Sequence, residues 1–177
     1  MEKDSISDLC TFWSLHVAIQ DAMGWLDYHL HEFTLKSPNS KEDIRMGIPF
    51  EDDIEEMNPE AGWMFKVSPF LESNKNFLYV YDFGDNWRHT IEFEGIYDKT
   101  PGNKYPCCID GARKCPPEDV GSIHGYEMLI KAMKNKRHPQ FKEYLAWLGE
   151  RYDPNDFNSG KVKFSNPNDR LNLLLED

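Results

Sequence analysis

The stretch from Asn76 to Ile96 constrains the fold of this chain more than any other. It reads Asn76-Phe-Leu-Tyr-Val-Tyr-Asp-Phe83, then Gly84-Asp85-Asn86, then Trp87-Arg-His-Thr-Ile-Glu-Phe-Glu-Gly-Ile96. Two alternating segments rich in aromatic and β-branched residues, joined by a short turn-forming stretch, predict a β-hairpin. Phe77, Tyr79, Tyr81 and Phe83 share one face of its first arm; Trp87, His89, Ile91 and Phe93 share one face of the second. Upstream, Phe12, Leu15, Ile19, Met23 and Leu26 recur at helical spacing, with Thr11 placed to cap the start and Gly24 placed near the end. Residues 28–36 alternate again, putting His29, His31, Phe33 and Leu35 on one face of a strand. Helical spacing returns over 126–136, over 139–148 and, after Pro167, over 168–175. A hairpin and a separate strand combined with three or four helices, without βαβα alternation, imply an α+β fold with a mainly antiparallel sheet.

The chain has 177 residues, a length at which one core is feasible, so a single domain is the expectation. Its net charge of −11 is unevenly placed: residues 1–60 carry 14 acids and 4 bases, whereas 61–177 carry 17 acids and 16 bases. A net-negative chain repels the phosphate backbone, which disfavours extended nucleic-acid binding. The acidic stretch 37–62 reads as a long mobile loop with at most a short helical turn. No apolar run approaches the roughly 20 residues of a membrane span, and the first residues lack a basic-then-apolar leader. The expectation is a cytoplasmic protein with no membrane partner. Without a leader, the cluster Cys107, Cys108 and Cys115 reads as reduced thiols or metal ligands before it reads as a disulfide framework.

Four groups can carry chemistry. Asp82, Asp85 and His89 lie on and beside the hairpin turn, a carboxylate–imidazole set suited to a divalent metal or to proton transfer. The competing reading is that Asp82 and Asp85 serve the turn's own backbone. Cys108 and Cys115 with His124 offer thiolate and imidazole ligands, although their six-residue gap is longer than zinc sites favour. A reversible Cys108–Cys115 disulfide and simple packing of thiols are the alternatives. His29 and His31, about 6.7 Å apart on one strand face, can join His16 of the preceding helix in a three-histidine cluster, or each can be satisfied within an apolar face. Glu118 and Asp119 precede a helix, where acids act as caps or dipole partners, unless they meet the hairpin-turn group across the fold. The basic run Lys131, Lys134, Lys136, Arg137 and His138 sits at a helix end and reads as a solvated, dipole-complementing terminus.

Five ordered blocks between about Thr11 and Phe157 carry a family resemblance: Leu15-His16-x-Ala-Ile-Gln-x-Ala-Met-Gly-Trp25; His29-Leu-His-Glu-Phe33; Tyr79-x-Tyr-Asp-Phe-Gly-Asp-x-Trp-x-His89; Tyr105-Pro-Cys-x-x-x-Gly111; and Cys115-Pro-Pro-Glu-Asp119 with Gly125-Tyr126. In these the chain resembles the root-inducing-plasmid (pRi) open-reading-frame-three-like proteins, also catalogued as insertion-element passenger or TnpR-like proteins. Members open with a strand pair bearing a Pro-x-x-Trp-Arg-like segment. Only about ten residues precede the first helix here, so that pair is expected to be missing, leaving a sheet edge open to a protein partner or to self-association. The resemblance implies a link to plasmids and mobile elements and supplies no catalytic residues. The resolvase-like label lacks its chemistry, because a serine recombinase needs an activated serine among phosphate-binding arginines and the six arginines are scattered. The resulting expectation is a binding or interaction module; the alternative is a metal-dependent hydrolase or nuclease using Asp82, Asp85 and His89 with Glu118 or Asp119.

Overall fold

The computed structural model describes residues 3–5, 10–40, 42–50 and 58–176. It is an α+β fold built on a five-stranded sheet: β2 (His31–Lys36), β3 (Asp43–Gly47), β4 (Glu60–Ala61), β5 (Asn76–Tyr81) and β6 (Trp87–Glu92), in the order β4-β3-β2-β5-β6. All neighbours are antiparallel except β3 and β4. The helices are α1 (Phe12–Met23), α2 (Ser68–Leu71), α3 (Ser122–Lys134), α4 (Phe141–Leu148) and α5 (Pro167–Glu176).

Strand alternation decides what the sheet buries. The cross-strand pairs His31–Tyr81, Phe33–Tyr79, Phe33–Met46, Tyr79–His89 and Tyr81–Trp87 all face one side. There they meet α1, whose Phe12, Leu15 and Ile19 are buried against Phe33, Phe77 and Tyr79 in one core. The Phe12 and Phe33 ring centroids lie 5.4 Å apart, and those of Phe33 and Tyr79 4.7 Å apart, within the range of favourable aromatic contacts. Leu129 and Met133 of α3 and Tyr152 extend this core.

Helix α1 starts and stops where its residue types dictate. The Ser14 N–H donates to Thr11 Oγ1, and the amides of Phe12 and Trp13 donate to the carbonyls of Phe65 and Gly62, so first-turn donors are satisfied. Gly24 ends the helix in the left-handed region at φ 78°, where a side chain would be strained. The chain then turns, Trp25 is buried, and Leu26 is left exposed.

Two expectations need correction. The stretch 37–62 is not one loop: residues 43–47 pair with β2 in register Phe33–Met46, and 60–61 add β4. Ile44 and Met46 face the core while charged neighbours take the other side, so acidity masked a strand. Residues 51–57 lie outside the described residues. The first strand begins at His31 rather than Tyr28, which removes His29 from the sheet. A strand does precede α1: β1 (Lys3–Ser5) pairs antiparallel with β7 (Cys107–Asp110) as a separate two-stranded sheet. No helix among the described residues is long and apolar enough to cross a membrane.

Candidate metal centre

The centre forms where the segment before β2, the hairpin turn and the loop before α3 meet. Asp82 closes the hairpin at φ 54°, a left-handed conformation that Asp tolerates better than most residues. Its Oδ1 accepts from the amides of Gly84 (2.9 Å) and Asp85 (3.2 Å), which leaves Oδ2 to face His29 Nε2 at 3.7 Å. Asp119, also left-handed at φ 56°, places Oδ1 2.9 Å from the same nitrogen. His29 Nε2, an Asp82 oxygen and an Asp119 oxygen all lie within 4.8 Å of one another. An ion about 2.0–2.2 Å from each donor needs donors roughly 3–4 Å apart, a spacing these three groups would reach only after small side-chain rotations.

The neighbouring loop is clamped in place. Trp25 Nε1 donates to the Pro116 carbonyl at 2.9 Å, and the Gly121 amide donates to Asp85 Oδ2 at 3.0 Å. Glu118 Oε1 accepts from the Leu26 amide at 2.7 Å and from the Tyr81 hydroxyl at 2.9 Å. Glu118 and Asp85 thus brace the loop that presents Asp119. Burial and then the adjoining Glu118 carboxylate hold the Tyr81 phenol well above its ordinary value, so it stays a donor.

The structure regroups the sequence-derived candidates. Asp82 and Asp85 share the turn, but His89 is absent from the metal centre. It sits two residues into β6, paired with Tyr79, and alternation turns its ring inward to 5.6 Å from Trp25 and 5.8 Å from Tyr79. Burial lowers its pKa. His29 occupies the place assigned to His89, and Asp119 crosses the fold to join it. The three-histidine cluster divides likewise. His16 and His31 stack with ring centroids 3.4 Å apart, fully inside the core, while His29 stays at the surface. Cys108, Cys115 and His124 do not form a ligand set among the described residues. Cys108 lies on β7, where its thiol donates to the Asp110 carbonyl at 3.6 Å, and no disulfide joins any of the four cysteines.

A second polar network escaped the sequence reading. Gln20 Nε2 donates to the Tyr79 hydroxyl (3.0 Å), which donates to His16 Nδ1 (2.9 Å), and His16 Nε2 donates to Asp27 Oδ1 (2.7 Å). Arg170 of α5 ion-pairs with Asp27 and Asp21. Burial lowers the His16 pKa, only partly opposed by Asp27; burial and then His16 lower that of His31 further. No local pattern joins Asp27 to Arg170 across 143 positions.

An α+β protein with an imidazole–dicarboxylate cluster at the mouth of its hairpin is the class that fold and site define. The chain belongs to the plasmid pRiA4b ORF-3-like protein family, whose model matches residues 5–161. The uncharacterized protein y4hQ of Sinorhizobium fredii is 32% identical over 164 residues, covering 92% of this chain and 76% of that protein. The crystal structure of MM3350, a protein of unknown function from Methanosarcina mazei Go1, matches with a TM-score of 0.82 and 36% identity, covering 92% of this chain and 89% of that one. These relatives share the fold and bring no established catalysis.

Proposed function

We propose that the protein is a cytoplasmic binding module whose working centre is a divalent-cation site formed by His29 Nε2, Asp82 Oδ2 and Asp119 Oδ1. The observation that carries this reading is the convergence of three ligand atoms from three separate segments within 4.8 Å. One imidazole and two carboxylates suit Zn²⁺, Mn²⁺ or Fe²⁺ better than an all-oxygen Ca²⁺ site. The side chains of Asp119 and His29 are 66% and 30% exposed, so an ion there is reachable from solvent. The plasmid association rests on the family's description.

Titration of dialysed, tag-free protein with Zn²⁺ or Mn²⁺ is expected to load about one ion per chain and to stabilise it by about 2.7 kcal/mol at a hundredfold excess over Kd. Asp119→Asn keeps a residue tolerant of left-handed φ while removing the charge, and should weaken binding at least about tenfold, as should His29→Ala. Sub-stoichiometric metal with an unchanged melting curve sinks the proposal. A metal-dependent hydrolase is the second reading, favoured by the small number of protein ligands, since three donors leave positions for water and substrate. It requires metal-dependent cleavage of a phosphodiester probe that Asp119→Asn abolishes.

A further inference from the structure

We propose that β6 is a self-recognition edge, at which two copies of the chain pair antiparallel about Thr90 and continue one sheet through the dimer. Among the described residues strand β6 ends the strand order, and β5 is its one neighbour in the sheet. The Phe93 amide donates to the Lys75 carbonyl at 2.8 Å, which marks 75–93 as a hydrogen-bonded pair one step beyond Asn76–Glu92. Antiparallel pairs alternate, so the backbone groups of 87, 89 and 91 point towards β5, and those of Arg88, Thr90 and Glu92 point outward along the open edge. The side chains of these same three residues are exposed on the solvent face of the sheet.

A two-fold axis through Thr90 sets Arg88 opposite Glu92 of the second copy, Thr90 opposite Thr90, and Glu92 opposite Arg88. Each pair joins residues whose backbone donors and acceptors face outward, so hydrogen-bond parity and charge agree in one register. Shifting by two residues keeps the parity but loses the Thr–Thr pair: one register sets Thr90 opposite Arg88, the other sets Thr90 opposite Glu92 and Arg88 opposite Glu94, so the register centred on Thr90 is the one that joins two Arg–Glu pairs to a Thr–Thr pair. Directly opposed unlike charges and Thr–Thr pairs are the favourable combinations on a sheet face. Phe83, Ile96 and Tyr97, in the turn and beyond the strand's end, are exposed as well. Nothing at this edge involves the metal centre, so the two proposals stand or fall separately.

Sedimentation and light scattering on the full chain, over concentrations up to roughly 1 mM, test the idea. Wild type should show a reversible monomer–dimer equilibrium. Arg88→Glu and Glu92→Arg alone each oppose like charges twice across the axis and should raise the dimer dissociation constant at least about tenfold. The double variant R88E/E92R restores opposite charges and should return the constant to near its original value. Thr90→Pro removes an outward N–H without touching the β5 ladder and should leave a folded monomer. A wild type that stays monomeric throughout, or a double variant no better than the singles, overturns the proposal.

Discussion

Lowering the pH from 7 to 5 should reduce folding stability and the melting temperature, with a ceiling of about 4 kcal/mol set by two rings that stay neutral throughout. The source is the His16–His31 stack. Both rings are fully buried and both titrate below the ordinary histidine value because burial penalises the charged form. The unfolded chain therefore binds more protons than the folded one once the pH falls below about 6.5. Stability from this pair is complete above that value and is lost on acidification, at roughly 1.4 kcal/mol per ring per pH unit while the folded rings stay neutral. Asp27, raised by burial but brought lower overall by His16 and Arg170, adds a loss in the same direction below about pH 4. Among the described residues His31 has no hydrogen-bond partner for either nitrogen, so His31→Leu removes one protonation site and two unsatisfied polar atoms together. Urea melts at pH 5, 6 and 7 should show this variant with about half the wild-type pH slope and no loss of stability at pH 7. An unchanged slope would locate the acid sensitivity elsewhere.

The second large effect is Gly125→Ala. Gly125 lies in the first half of α3, and an added Cβ would sit 1.8 Å from the Val120 carbonyl oxygen and 2.8 Å from its carbon. Alanine is ordinarily the better helix former, by about 1 kcal/mol over glycine, so propensity alone predicts a gain. The clash reverses the sign, because the obstructing atoms are backbone and cannot rotate away; an overall loss of about 3 kcal/mol is expected. The damage should also reach the metal centre. Val120 adjoins Asp119, and moving it strains the clamp in which Asp85 holds the Gly121 amide. Gly125→Ala should therefore weaken cation binding even at temperatures where the variant remains folded, and equilibrium denaturation beside metal titration on the same samples separates the two effects. A melting curve equal to or above wild type would show that the Val120 turn yields more easily than its packing implies.

The hairpin, α1 and the three later helices could be read from the chain because each announces itself locally, through alternation, three- and four-residue spacing, and caps such as Thr11 and Gly24. Strand β3 could not, because it is short and its charged residues and the surrounding acids resemble a loop; only pairing with Phe33 and Leu35 makes Ile44 and Met46 a core row. The metal centre was visible as residue types without their grouping. Asp82 and Asp119 stand out beside turn glycines and prolines, but their meeting depends on a loop tied by Trp25, Tyr81 and Asp85, contacts that span 36 to 91 positions. His29 and His89 exchange roles because one strand begins two residues after His29 and another begins two residues before His89. Local alternation treats both as strand residues; the actual strand ends leave one at the rim and turn the other inward.

The Arg170 pair on α5 lies beyond residue 161, where the family match ends. Its guanidinium joins Asp27 and Asp21, and its positive charge adds to the lowering of the His16 pKa. The ionisation threshold of a core imidazole is thus adjusted from a peripheral helix outside the stretch that defines the family. A residue outside the matched stretch thus bears on the charge state of a ring inside it.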